Sequence, residues 1–433
     1  MSSTTVSTKL QQIAEQARRY PSRVFTTLAH HIDVDFLTEA YRRTRKSSAP
    51  GIDGVTGHEY AANLESNLHD LHERLREGRY KAPPVKRVWL KKEGGKKRPI
   101  GMPVFEDKIV QRAVLMLLGA IYEQDFYDFS HGFRPGRQPH RALKELRQQC
   151  VGMKIGWIVD ADVSSFFDNI DRTWLRKYIQ VRVNDGSILR LIGKWLNAGV
   201  MDEGIWSHPE MGTPQGGVVS PILANIFLHY VLDDWFVKVV RPRMKGKCFL
   251  IRFADDFVIG CTLESDARRI MEVLPKRLGR FGLTIHPEKS KLISFGKPPR
   301  DETRGQGGYG TFDFLGFTHY WARSRQGYWV IKRKTAGKRL RRAQKAIWIW
   351  CRRNRHLSIP EQHHQLTLKL NGHFLYYYIR GNYDHLELFR RFVEKAWRFW
   401  LSRRSQRGLI TWPKFVRLLK AFPLPRPERV HWI

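Results

Sequence analysis

The segment FLIRFADDFVIG, residues 249–260, sets Asp255 and Asp256 side by side inside what is otherwise one apolar run. Any fold this chain adopts must therefore bring two adjacent carboxylates to the end of buried strands. Ionised carboxylates in apolar surroundings either cost several kcal/mol or take up protons, unless a cation meets them. Asp is common in tight turns, so a plain polar hairpin is the alternative. The flanks FLIRFA and FVIGC are too apolar for a solvated turn, and a second acidic site lies upstream. In KIGWIVDADVSSFFD, residues 154–168, Asp160 and Asp162 stand two apart on a predicted strand and so share one face. Close-set oxygen donors of this kind suit Mg²⁺. Two such ions can clamp the attacking and leaving oxygens of an in-line phosphoryl displacement.

Charge points to a polyanionic partner. The 433 residues carry a formal net charge of +35, and from Ala322 onward 27 Lys and Arg face 5 Asp and Glu. The last quarter reads first as a binding surface, with nucleic acid as the leading partner ahead of ribosome or anionic membrane. With 42% apolar residues the chain can bury substantial cores. No apolar run approaches a membrane span, and MSSTTVSTKLQQIAEQARRY lacks the apolar core of a signal peptide, so a cytoplasmic location is expected. Cys150, Cys248, Cys261 and Cys351 are far apart and form no CxxC pair, so we expect buried reduced thiols and no zinc module.

Pattern along the chain suggests an α+β fold. A helical stretch is expected over 8–45, ending at SSAPGIDGVTG, and another over 55–80. The segment APPVKRVWLKKEGGKKRPIGMP reads as a basic β-hairpin, a phosphate-facing flap. Helical spacing marks residues 106–124, and SHGFRPGRQPHRAL then turns tightly round Pro and Gly. A Gly-rich loop, MGTPQGGVVSP, feeds a long apolar helix before the acidic hairpin. A helix near 265–280 and the strand-like GLTIHPEKSKLISF and TFDFLGFTHY follow. Beyond residue 333 come three basic amphipathic helices, near 335–355, 360–380 and 386–407. Their tryptophans, Trp348, Trp350, Trp397 and Trp400, are expected mostly in that region's core. Strands with hairpins and without regular βαβ alternation suggest an α+β palm and not a doubly wound sheet.

Taken in order, KKRPIGMP, SHGFRPGR, DADVSSFFDNI, GTPQGGVVSPILANIFLH, FADD, GLTIHPEKSK and FDFLGF resemble the successive blocks of a reverse transcriptase. More narrowly, the chain resembles the reverse transcriptase/maturases encoded by bacterial group II introns. APGIDGVTG is similar to that family's extra amino-terminal block, and the basic helices with RRSQRGLITWPKFVRLL to its thumb and maturase region. The resemblance implies a right-hand polymerase with an N-terminal helical extension (1–45), fingers and palm (46–325) and a basic helical thumb or maturase domain (326–433). It implies RNA-directed DNA polymerase activity with two Mg²⁺ ions, Mn²⁺ being a possible substitute. The implied partners are an RNA template, a DNA primer or target, and deoxynucleoside triphosphates. Family members also assist splicing of their intron RNA and its retrohoming. The other readings are a domesticated relative acting in DNA repair or anti-phage defence, and a splicing-only maturase. A bacterial, nucleoid-associated setting would follow. The sequence ends at PLPRPERVHWI without the His/Cys-bearing endonuclease module of many relatives, so second-strand cutting is not expected.

Residue roles follow from the same resemblance. Asp162, Asp255 and Asp256 match the catalytic, metal-binding acids; spacing alone does not separate Asp162 from Asp160, which becomes an auxiliary acid. Phe167 matches the aromatic that excludes a 2′-hydroxyl, with a plain core phenylalanine as the alternative. Lys91 and Arg98 match the finger residues that grip the triphosphate; the alternative is solvated hairpin charge. Gln215 matches the residue beside the new base pair. Lys289 matches a lysine near the leaving pyrophosphate, or is a surface strand lysine. Leu315 and Gly316 match the primer grip. Phe253 departs from the family's usual Tyr, which removes a hydroxyl that binds no metal.

Overall fold

The computed structural model describes residues 3–91, 97–202, 205–207, 216–299, 310–405 and 408–428. Two helices, α1 (Ser3–Arg19) and α2 (Val34–Arg43), replace the single helical stretch expected over 8–45. Tertiary partners explain the break. Arg182 donates to the carbonyls of Ala17 and Tyr20, and the Asp185 carboxylate accepts the amides of Leu28 and Ala29. Backbone groups satisfied from outside do not need a helix to satisfy them. The expected 55–80 helix is likewise two: α3 (Gly57–Ala61), opened by a Thr56/Glu59 capping box, and α4 (Leu64–Arg76).

Strands β1 (Val85–Lys91) and β2 (Lys97–Met102) form the expected antiparallel hairpin. Helix α5 (Phe105–Tyr122) is apolar on nearly every side and correspondingly buried; α1 and α2 pack on it. Lys108 on α5 donates to the carbonyl of Ala49 at 2.6 Å, docking the SSAPG turn there. Helix α6 (Pro139–Gly152) leads to β3 (Trp157–Ala161), and α7 (Arg172–Gln180) to α8 (Gly186–Asn197). Short strands β4 (Val200–Asp202) and β5 (Ile205–Ser207) extend the hairpin into a sheet ordered β2-β1-β4-β5.

Helix α9 (Ser220–Leu228) continues into π-helical turns over His229–Asp233 and Phe236–Val240. Then come β6 (Cys248–Phe253), β7 (Asp256–Cys261), α10 (Glu264–Gly279) and β8 (Lys291–Ser294). The central sheet runs β6-β7-β3-β8, antiparallel throughout. Beside β6, the Arg252 amide donates to Phe129 O (2.9 Å) and Arg252 O accepts the His131 amide (2.8 Å), so Phe129–His131 lies along the edge while α6 packs over it.

Strands β9 (Phe312–Phe314), β10 (Phe317–Arg323) and β11 (Trp329–Thr335) make a meander. Phe312, Phe314, Phe317 and Ile331 share one core with Leu143 and Leu146 of α6 and with Phe249 and Val258 of the central sheet. A separate core joins α11 (Gly337–Arg353), α12 (Ile359–Tyr377), α13 (Tyr383–Leu401) and α14 (Trp412–Ala421). The third expected helix thus stops at Leu401, and α14 is additional. Trp397 is fully buried there, with Trp348, Trp350 and Trp400 partly so. All four cysteines are buried and free. No helix among the described residues is long and apolar enough to cross a membrane.

Candidate active site

The acid-bearing segments meet at one end of the central sheet. Phe253 pairs with Asp256, leaving Ala254 and Asp255 as a two-residue turn between β6 and β7. Asp160 pairs with Val258 of β7 and Lys291 of β8, and Asp162 follows directly after β3. The backbone beyond β3 is held by the Asp162 amide donating to Ser290 Oγ at 3.2 Å and by the His286 amide donating to Asp162 O at 2.8 Å. Alternation along β3 sends Asp160 and Asp162 to one face while Ala161 is buried on the other.

Electrostatics register the convergence. Burial, reinforced by Asp256, Asp313 and Asp162, pushes the Asp160 carboxyl up to about 7, against the pull of Lys291. Asp256 opens to solvent on one side, yet burial on the others, then Asp255 and Asp162, raises its carboxyl to about 6 while Arg339 and Lys289 oppose the rise. Like charges are held together here more closely than the nearby cations compensate. Lys289 donates to Asp162 Oδ2. Among the described residues, no three His, Cys, Asp or Glu side chains already stand as a metal cage. The donors nevertheless have the right chemistry for a hard divalent ion: carboxylate oxygens under mutual repulsion, with an ammonium bonded to one of them.

Of the other expected site residues, Phe167 lies in the 3₁₀ turn Phe166–Asp168 and is 9% exposed, its ring edge-on to Phe166 at 5.3 Å. Lys91 and Arg98 stand on β1 and β2 near the open end of the hairpin, where Leu90 pairs with Arg98 and Lys91 with Lys97; their side chains, and Gln215 altogether, lie outside the described residues. Gly216, next to Gln215, has φ 115°, and an ideal Cβ on it would sit 2.4 Å from Gly101 O. Glycine is required by both conformation and contact, and Gly216 is thereby pressed against β2. Gln111 Oε1 accepts the Val218 amide at 2.7 Å, fixing where the loop enters α9. Leu315 (φ 49°) and Gly316 (φ 79°) are the two central residues of the β9–β10 turn, both left-handed as a type I′ hairpin needs. Tyr376 of α12 donates to Leu315 O at 2.9 Å.

Sequence reasoning missed several neighbours. Arg339 and Asp313 act on the acids from α11 and β9. More informative is Arg252, one residue before Phe253 and itself 0% exposed. The signal was present, because a guanidinium inside FLIRFA needs a buried partner.

Left-handed backbone also gathers here. Of the five non-glycine residues with positive φ among those described, Phe133, Ser165, Ala254 and Leu315 fall in the motif segments, Lys154 being the other. Such strain persists only where the surroundings over-determine it, and it clusters at functional sites.

Comparison with known proteins agrees with this geometry. The family model "Reverse transcriptase (RNA-dependent DNA polymerase)" matches residues 90–319, more than half of the chain. The chain is 37% identical over 231 residues to Protein YkfC of Escherichia coli, covering 52% of this chain and 61% of that one. It is 36% identical over 238 residues to the group II intron-encoded protein LtrA of Lactococcus lactis subsp. cremoris, covering 54% and 39%. A shorter match, 37% over 90 residues, reaches Nuclear intron maturase 1 of Arabidopsis thaliana, covering 21% of this chain and 12% of that one. The chain therefore spans less than two thirds of the length of these relatives. With the acidic hairpin, the Asp160/Asp162 strand and the Gly216 turn all inside the matched segment, this chain belongs to the reverse transcriptase (RNA-dependent DNA polymerase) family.

Proposed function

We propose that the chain is an RNA-directed DNA polymerase of the group II intron-encoded type, which extends a primer 3′-OH on an RNA template with deoxynucleoside triphosphates. The observation that carries this reading is the convergence of Asp160, Asp162 and Asp256 around the Asp255 turn, where burial first and the neighbouring acids second raise the carboxyls of Asp160 and Asp256. Asp162, Asp255 and Asp256 would hold Mg²⁺, for which Mn²⁺ could substitute. Bound there, the metal would supply Lewis-acid stabilisation of the reacting 3′-oxygen and the departing pyrophosphate. The chain's own groups do the rest. Lys289, bonded to Asp162 in the free protein, is available to turn its ammonium to the leaving phosphates. Lys91 and Arg98 grip the triphosphate from the hairpin. Gln215 lies against the nascent base pair, and Phe167 bars a 2′-hydroxyl. The Leu315–Gly316 turn, braced by Tyr376, supports the primer strand.

Residues 46–325 serve as fingers and palm, residues 1–45 as an N-terminal helical extension, and residues 326–433 as the thumb. The net charge of that last region suits the phosphates of a hybrid duplex and of a structured intron RNA. The intron-encoded and maturase names of the relatives support assistance to splicing and retrohoming as a second use of the same surface. The working place would be the bacterial cytoplasm, at the nucleoid. Asp255→Asn tests the reading: primer extension should vanish while RNA affinity stays within about threefold, since the change removes one charge among many basic contacts. Extension at near wild-type rate would falsify the metal assignment.

A further inference from the structure

We infer that Arg252 is a positioning residue that sets the backbone of the Ala254–Asp255 turn, through a buried clamp built from three separate parts of the chain. The inference rests on the polymerase reading for its kinetic consequence, but its structural basis is independent of it.

Arg252 and Asp233 are both 0% exposed and Asn225 is 1% exposed. The guanidinium makes four hydrogen bonds. Nε and Nη2 donate to the two Asp233 oxygens at 2.8 and 2.5 Å, and Nη1 donates to Asn225 Oδ1 and to Ala254 O at 3.0 Å each. Asn225 in turn donates from Nδ2 to Gly132 O at 2.7 Å. Gly132 closes the ring from the other side, because an ideal Cβ on it would fall 2.1 Å from Ala254 N. Ala254 is thus held at its carbonyl by Arg252 and hemmed at its amide by Gly132, and it sits at φ 57°. A left-handed alanine costs about 1–2 kcal/mol, and this enclosure is what keeps it there.

The helix geometry serves the same end. Asn225 and Asp233 are eight positions apart, which on a regular α-helix leaves them about 80° out of line. The π-helical turn over His229–Asp233 widens the winding between them, and both side chains reach one guanidinium. Only a planar fork can bridge two carboxylate oxygens, an amide oxygen and a carbonyl at once; an ammonium cannot. Arg252 is not among the charges that bear most on Asp160 or Asp256. The charges that bear most on Asp256 are Asp255, Asp162, Arg339 and Lys289, while Asp233 neutralises Arg252 in place. Its effect is therefore on where Asp255 stands. Because α9 starts at the Gly216 loop and carries Asn225, the clamp also ties that loop to the acid turn.

Two variants separate positioning from mere folding. Arg252→Lys keeps the charge opposite Asp233 and loses the fork. The double change Arg252→Met with Asp233→Leu replaces the buried pair by apolar groups, a swap that often leaves stability unchanged or improved. In each, amide hydrogen exchange at residues 254–256 should quicken by about tenfold or more relative to β3 and β7. The extension rate constant should fall about 10- to 100-fold, with KM for nucleotide and RNA affinity close to wild type, and with the melting temperature lowered more in Arg252→Lys, which leaves buried acceptors unpaired, than in the double variant. Unchanged local exchange in the better-folded of the two variants overturns the inference, whatever the activity. Wild-type protein that extends no primer sinks the polymerase reading and leaves the exchange comparison to decide the clamp.

Discussion

Gly132→Ala should damage catalysis by adding a single methyl group outside the acidic cluster. The new Cβ would lie 2.1 Å from Ala254 N and 2.8 Å from its Cα, against a comfortable separation of about 3.5–4.0 Å between carbons. Relief requires the turn to retreat by about 1 Å or more, and displacement on that scale costs on the order of 10²-fold in rate. The crowding itself would cost about 1–3 kcal/mol of stability. Gly136→Ala in the same loop supplies the control. Its Cβ meets nothing within 4 Å, but the residue sits at φ 68°, so it should lose about 1–2 kcal/mol without pushing on the turn. Single-turnover primer extension on an RNA template, with thermal unfolding of both variants, separates the two effects. Gly132→Ala should lose rate out of proportion to stability, and Gly136→Ala the reverse. The reasoning fails if Gly132→Ala extends within about threefold of wild type, or if both variants lose the same rate.

Asp185→Asn should cost about 2–4 kcal/mol, because its carboxylate accepts the amides of Leu28 and Ala29 through one oxygen and of Ser187 and Ile188 through the other. Burial opposes ionisation of Asp185, but those backbone amides prevail and hold its carboxyl below the ordinary value of 3.8. The folded state then binds fewer protons than the unfolded one, so this stability is present above the unfolded pKa and disappears as pH falls through the folded value. Denaturant unfolding across that acid range should show the loss in wild type and not in the variant. Phe167→Val should raise ribonucleotide incorporation at a stability cost of about 1–3 kcal/mol; unaltered sugar selectivity would reduce Phe167 to core packing. RNA affinity should drop about 10³- to 10⁵-fold between roughly 50 and 200 mM salt if six to ten phosphates are contacted, and a flat titration contradicts a basic clamp.

The acidic hairpin could be read in advance because its information is local: an apolar run, two acids, and a spacing that allows only a tight turn. Helices α5 and α10 were legible for the same local reason, α5 as a long apolar run and α10 from its buried face at helical period. What escaped was tertiary. Arg252 finds its partners 19 and 27 residues away, and Asn225 reaches 93 residues back to Gly132; no window of sequence contains that closure. The break between α1 and α2 is equally non-local, created by Arg182 and Asp185 from more than 150 residues downstream. The unexpected α14 is short, and its burial depends on Trp397, against which Phe415 packs edge-on at 5.7 Å.

The strip Phe129–His131 that runs beside β6 has a further effect on how this molecule meets its own copies. A sheet with a bare margin invites another chain to add a strand, and from there to stack. Here the chain occupies that margin itself at Arg252, while α6 packs on the face of the same sheet. At Arg252 a foreign strand finds no free backbone group, because both its amide and its carbonyl are already taken by the chain's own strip.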